Sequence, residues 1–393
     1  MPGFLFDLAE QSLWSAMLVV KFSSVSLASG FGMLSCIAFL FRSFLMRLIL
    51  LTLLPLLATS SAIADITRSN ETWKVKPNFE KSDKARESIS GAACVPGLGQ
   101  CLAVNDEKKY AQFFQIRDLR LEPGPLVRLL PGKINGEKTK EIDAEGAVYV
   151  PPEGSGDPGS YFVTGSHGLS RSGEFQQSRF VLFRIPVDPA TGLPTFNFND
   201  KKVAPEISRT TLLQETIRNT EPLSAFAEKT LDRNGVTIEG LSVMGEDLLF
   251  GLRSPCLSEH ALVMRVPINE LFKNTAPSAK INQVKLGDNV GIRDLTAVDG
   301  GFLILSGRSD DRRGDQKLTC GEKRSPPSPF PAVWFWSGKD EDAAEPLGRL
   351  PGIDANDSAE TLLVLEETQE AYRILILLDG KKNGAPVEFL VEK

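Results

Sequence analysis

The sequence predicts an all-β protein, a β-propeller of five or six blades with a short helical insertion. Three observations carry this. After residue 88, short β-branched and aromatic runs alternate with Gly, Pro, Asp and Ser turns. The runs group into one three-run unit that recurs five times. Residues 210–232 show helix-like apolar spacing, through Leu212, Leu213, Ile217, Leu223 and Phe226. A recurring up-and-down sheet unit that cannot bury its own faces needs neighbours of the same kind, which is the logic of a propeller. A pair of β-sandwiches is the competing arrangement.

The first 64 residues stand apart from this pattern. From Met46 the chain has a short basic start, an apolar run over 48–58 and a small-residue ending through Ala62 and Ala64. That is the pattern of a secretory signal peptide, with the cut after Ala64 and residues 1–45 as an upstream extension. An uncleaved anchor over 34–57 would carry Arg42 and Arg47 inside about 30 Å of hydrocarbon, a costly placement. The expectation is therefore an exported, periplasmic or secreted protein with no stable membrane span after cleavage. Residues 65–393 would form a single propeller domain.

Export bears on the cysteines. Loss of Cys36 leaves Cys94, Cys101, Cys256 and Cys320, an even number that suggests two disulfides with three connectivities open. Cys94 and Cys101 bracket a Pro-Gly turn sequence, so a bridge across one hairpin is expected, which would leave Cys256 to Cys320.

The repeat units follow in order. They are 90–95, 101–107 and 110–116; 145–150, 161–167 and 179–186; 239–243, 248–253 and 261–267; 293–298, 302–308 and 332–336; and 360–365, 372–378 and 387–391. Fourth strands are expected at 207–213 and 283–286. The gap from Glu145 to Glu239 is the widest, and it contains the helical stretch, which could be a flap over one face or hide a further blade. Residues 72–76, ahead of the first unit, are the candidate for closing the ring against the last. Trp334 and Trp336 read as blade packing and His260 as a blade-edge residue.

Composition narrows the function classes. The 393 residues carry 44 basic and 50 acidic side chains, a net charge of −6, which argues against a nucleic-acid binder. Two histidines exclude a multi-histidine metal cage and leave carboxylates as the metal ligands to consider. No P-loop, EF-hand loop or HExxH occurs.

In a propeller the starts of the innermost strands and the ends of the second strands converge on one channel mouth. The starts supply Ser90, Glu145, Glu239, Asp294 and Glu360; the ends supply Asp106, Glu107, His167, Arg253, Arg308 and Asp379. Three units thereby face an acid with a base: Glu145 with His167, Glu239 with Arg253, and Asp294 with Arg308. Such pairs can tie each blade together. They can also form a site, with Arg253, Arg293 and Arg308 gripping an anion and Asp294, Glu360, Asp106 and Glu107 holding a divalent cation such as Ca²⁺. In that reading His167, Glu145 and Glu239 are the catalytic candidates, with His167 as acid or base between Gly165 and Gly168.

Four ordered motifs extend the reading: Gly165-Ser166-His167, Ile238-Glu239-Gly240-Leu241, Gly251-Leu252-Arg253-Ser254-Pro255 and Gly291-Ile292-Arg293-Asp294-Leu295. Together they resemble a bacterial exported family of unknown function, numbered 3616, from about residue 88 to the C-terminus. The resemblance implies a propeller-like fold and assigns no activity. More distantly, the Glu-Gly strand starts look like those of esterase-like phytase propellers. Together with the polar mouth, this gives the expectation of a monomeric ester or phosphoester hydrolase acting on a small anionic ligand. The alternative is a non-catalytic platform for a glycan, peptide or partner protein.

Overall fold

Five four-stranded antiparallel units are arranged around an axis, and each is built from a recurring sequence unit. The computed structural model describes residues 65–80, 82–134, 136–310, 330–340 and 342–393. The expected signal segment and Cys320 lie outside the described residues.

Blade 1 runs from its innermost strand Ile89–Cys94 through Gln100–Asn105 and Tyr110–Arg117 to Arg120–Arg128. Blade 2 uses Ala144–Val150, Gly159–Gly165, Leu182–Val187 and Ser208–Thr210. Blade 3 uses Thr237–Met244, Asp247–Ser254, His260–Pro267 and Lys280–Lys285. Blade 4 uses Val290–Val298, Gly301–Arg308, Ala332–Trp336 and Glu345–Arg349. Blade 5 uses Ser358–Glu367, Ala371–Asp379 and Val387–Glu392, and takes its outer strand, Ile66–Arg68, from the start of the propeller.

The core explains why one blade cannot fold alone. Buried apolar side chains fall into five clusters, and each is shared by two neighbouring blades. Phe113 and Val127 of blade 1 meet Tyr161 and Phe183 of blade 2. Leu303 and Val333 of blade 4 meet Ile374 and Phe389 of blade 5. Blade 5 returns to blade 1 through Leu375 and Leu377 against Ala103 and Phe114. Both faces of each sheet are thus buried, which is why inner strands read as near-continuous apolar runs. Trp336 is fully buried against Phe302, and Trp334 donates its indole N–H to Ser306 Oγ at 2.9 Å, so both tryptophans pack within blade 4.

The glycines at the inner-strand starts, after Glu145 in blade 2 and after Ser90 in blade 1, have a packing reason. A Cβ on Gly146 would stand 2.8 Å from Leu241 Cβ of blade 3, and one on Gly91 would stand 2.3 Å from the Glu145 carbonyl of blade 2. The innermost strands approach so closely near the axis that a side chain there would drive the blades apart.

Two expectations are corrected or resolved. The closing strand is Ile66–Arg68, paired with Val387–Glu392, and not residues 72–76. Within that expected stretch, Lys74–Val75 runs parallel to the outer strand of blade 1 as a fifth strand. Ile66 wins because its side chain is buried in the cluster between blades 4 and 5, whereas Lys74 is exposed and Val75 half-buried. The helical stretch resolves the blade number at five. Helix Leu212–Asn219 buries Leu213, Thr216 and Ile217, and Leu223 follows them into the cluster between blades 2 and 3. Its apolar face is consumed as packing, which leaves no sheet for a sixth blade.

Cys94 and Cys101 face each other across the first hairpin and are joined by a disulfide. No helix among the described residues is long and apolar enough to cross a membrane.

Ring closure gives a direct expectation. Ile66→Asp places an unpaired charge in an apolar cluster and should lower unfolding stability by roughly 2–4 kcal/mol. Val75→Asp should cost less than half as much; urea denaturation of the two variants measures the difference.

Candidate functional site

One backbone irregularity repeats in every blade and builds the channel mouth. Near the start of each innermost strand the pairing register skips one residue. The skips fall between Ile89 and Gly91, Ala144 and Gly146, Ile238 and Gly240, Ile292 and Asp294, and Ala359 and Thr361. The released residues are Ser90, Glu145, Glu239, Arg293 and Glu360. A β-bulge frees one residue from the ladder and re-aims its side chain. Here Glu145, Glu239, Arg293 and Glu360 line the mouth.

These side chains form a buried ion chain across three blades. Glu239, which is 3% exposed, accepts a hydrogen bond from Arg253 Nη1 at 2.8 Å on Oε1, and its Oε2 forms an ion pair with Arg293 Nε at 2.8 Å. Arg293 then reaches Glu360 of blade 5 in a second ion pair. Arg253 also donates to the Asp310 carbonyl at 2.6 Å, while Arg308 grips the Asp310 carboxylate at 2.7 and 2.8 Å. On blade 2, Arg179 Nη1 lies 3.0 Å from Asp143. Each guanidinium named here has a carboxylate beside it, which is the condition for burying such charges.

Of the three expected acid–base pairs, only Glu239 with Arg253 forms. The Asp294–Arg308 pair is replaced because the bulge in blade 4 selects Arg293 as the axial residue. Asp294, the next residue along, accepts the backbone N–H groups of Leu295 at 2.8 Å and Leu362 at 2.7 Å, tying blade 4 to blade 5. Burial pushes its pKa up to about 7 against those two hydrogen bonds. The Glu145–His167 pair is absent because His167, at φ +52°, follows the end of its strand and packs edge-on against Phe180 at 5.7 Å. Both of its ring nitrogens are buried without a hydrogen-bond partner, and burial pushes its pKa down to about 3. The imidazole is therefore neutral at physiological pH, and His167 is absent from the residues that line the mouth.

The four carboxylates expected as metal ligands do not converge. Asp106 and Glu360 line the mouth; Glu107 is ion-paired with Lys84, and Asp294 is spent on backbone amides. Among the described residues no group of three or more His, Cys, Asp or Glu side chains is arranged to hold a metal ion. Cys256 is buried 3.3 Å from Ser309 Oγ; its expected partner Cys320 lies outside the described residues.

The mouth has two connected lobes of about 350 and 280 Å³, both reached by Arg171, Leu231, Arg253, Asp310, Glu360 and Asp379. The larger lobe is acidic: Asp106, Asp143, Glu145, Asp232 and Glu239 add to the shared acids, with Arg179 as the further base. Crowding shows in the acid strengths. Desolvation first, then Asp143, Glu239 and Glu360, holds the Glu145 carboxyl well above the usual range. Asp106 is pushed up to about 7 by burial and then by Asp379 and Asp143, and its Oδ1 is buried without a hydrogen-bond partner. The sequence reading missed Asp143, Arg179 and Asp310. The one available signal was proximity, since Asp143 lies two residues before Glu145 and Asp310 two after Arg308.

Two expectations follow. Arg293→Met strands Glu360 as a buried carboxylate and leaves Glu239 with Arg253 alone, and should cost about 3–5 kcal/mol by urea unfolding, with part recovered in the Arg293→Met/Glu360→Gln double variant. The second concerns pH. The unfolded chain releases the Asp106 proton near its ordinary value of 3.8, while the folded chain keeps it to about 7. Between these values the folded state binds more protons, so stability should fall as pH rises through this window, by up to about 1.4 kcal/mol per pH unit for this group. Asp106→Asn should remove that slope in unfolding curves collected across the window.

Comparison with known proteins places the chain among proteins without an assigned activity. No curated protein matches it. Among solved structures it is similar to a GH43 β-1,3-galactosidase, at 8% identity over 84% of this chain and 60% of that one, with a TM-score of 0.42. It is also similar to an exo-β-1,3-galactanase from Clostridium thermocellum, at 9% identity over 83% and 62%, with a TM-score of 0.40. The chain thus spans under two thirds of the length of these two proteins. A third, described as a putative oxidoreductase (glucose dehydrogenase) from Thermus thermophilus, is 10% identical over 84% of this chain and 99% of that one, at a TM-score of 0.36. Over residues 132–385 the chain matches the family model "Protein of unknown function (DUF3616)", and it belongs to that family.

Proposed function

We propose that the acidic lobe of the channel mouth binds a neutral, hydroxyl-rich ligand, a short glycan, and hydrolyses it by acid–base chemistry. One observation carries the reading: two carboxyl groups with raised pKa, Glu145 and Asp106, line one cavity beside arginine-paired carboxylates. Glu145 makes no hydrogen bond or ion pair among the described residues, so its proton is available to a ligand. In the proposed step Glu145 donates that proton to the leaving oxygen as the C–O bond breaks. Asp106, ionised, takes a proton from the water that forms the new C–O bond.

The choice of ligand follows from charge. Arg179, Arg253, Arg293 and Arg308 are each matched by a carboxylate, and acids outnumber arginines in the larger lobe. A phosphoester entering there would meet excess negative charge. Sugar hydroxyls, which both donate and accept, suit a wall of fixed carboxylates and guanidinium groups. No aromatic side chain lines either lobe among the described residues, so recognition would rest on hydrogen bonds. We also infer export, supported by the Cys94–Cys101 disulfide together with the signal pattern ending at Ala64.

The test is a panel of aryl glycosides and aryl phosphoesters assayed with the purified chain. Turnover should be confined to the glycosides, and Glu145→Gln should reduce it about 100-fold or more and abolish the alkaline limb of the pH profile. Glycan binding with no turnover, unchanged in Glu145→Gln, would leave a non-catalytic platform in place of the hydrolase.

A further inference from the structure

A second cavity lies away from the channel, against blade 2, and its lining has the opposite charge. It encloses about 320 Å³ among Ile134, Lys138, Lys140, Phe175, Val181 and Arg209. Three segments build it: a two-stranded hairpin formed by Lys133–Ile134 and Glu137–Lys138, the loop that carries Phe175, and the outer strand Ser208–Thr210. The volume falls in the range of small-ligand pockets.

Its chemistry is amphipathic. Phe175 is 52% exposed and stacks at a tilt on Phe180, with ring centroids 4.6 Å apart, so one face of the ring is left to the cavity and solvent. Ile134 and Val181 extend the apolar wall. Around it stand Lys138, Lys140 and Arg209, with Glu137 as the one acid in the lining. Lys140 has an exposed, loose pairing with Glu174 at 3.5 Å, while Lys138 and Arg209 make no ion pair among the described residues. Lys109, at the base of the hairpin, adds to the same positive region. Its pKa is lowered by burial and then by the charges of Arg128 and Lys138. On a chain of net charge −6, a concentrated positive region beside an exposed ring is a local departure that needs a complementary anion.

We propose that this cavity binds a small amphiphilic anion: a flat apolar body against Phe175 and Val181, and one carboxylate or sulfonate held by Lys138, Lys140 and Arg209. The apolar body gains by burial against the ring, and the charges confer the selection for an anion. The site is separate from the channel mouth, whose excess of carboxylates would repel the same ligand.

The test is a fluorescence titration of the full chain with anilinonaphthalene sulfonate. Saturable binding at one site is expected, weakened about tenfold or more by Phe175→Ala and by the Lys138→Glu/Arg209→Glu pair. Naphthoate should displace the probe and naphthamide, its uncharged analogue, should not. Rising ionic strength should weaken binding, since the cavity is open to solvent. Absent or unsaturable binding, unchanged affinity in the variants, or equal displacement by naphthamide overturns the proposal. Because none of these residues lies at the channel mouth, the result does not depend on the glycan reading.

Discussion

The position of Arg293 between Glu239 and Glu360 is the contact on which the channel mouth depends. Three innermost strands are joined by side chains that have left their own ladders, so the charge pattern and the backbone pattern are one feature. Burying such ions is costly in itself. The cost is met by mutual pairing, with Arg253 sharing Glu239 and Asp294 bonding across to the Leu362 amide. Within one blade the ladder holds the sheet together; between blades, near the axis, these polar contacts set the spacing.

Most of the cohesion is apolar. Each of the five clusters is shared by neighbours, so every blade is stabilised from both sides and the ring has no free sheet face. Glycine at positions such as 91 and 146 lets the inner strands converge, and Ile66 seals the junction between the last two blades. A polar axis is affordable in such a molecule because the apolar interfaces lie outside it.

Charge is then segregated. Carboxylates crowd the larger lobe until Glu145 and Asp106 retain protons beyond their ordinary range, while Lys138, Lys140 and Arg209 gather around Phe175 on blade 2. The first is a setting for proton transfer and the second for holding an anion. The two follow from different parts of the chain, inner-strand bulges in one case and loops and an outer edge in the other.

The sequence by itself determined the blade unit, because strand periodicity and turn residues are local properties that recur with each blade. It also placed Glu145, Glu239, Glu360 and Arg253 at the mouth and identified the Cys94–Cys101 hairpin. Tertiary structure decided what local pattern could not. Arg293 and Asp294 are adjacent and both polar, and only the hydrogen-bond register of blade 4 determines which one faces the axis. His167 occupies a repeat position held by arginine elsewhere, yet it has a positive φ and packs edge-on against Phe180. The closing strand was settled by which of two short segments could bury a side chain between blades 4 and 5. The basic cavity on blade 2 joins residues from 134 to 209, a distance in sequence over which no spacing rule operates.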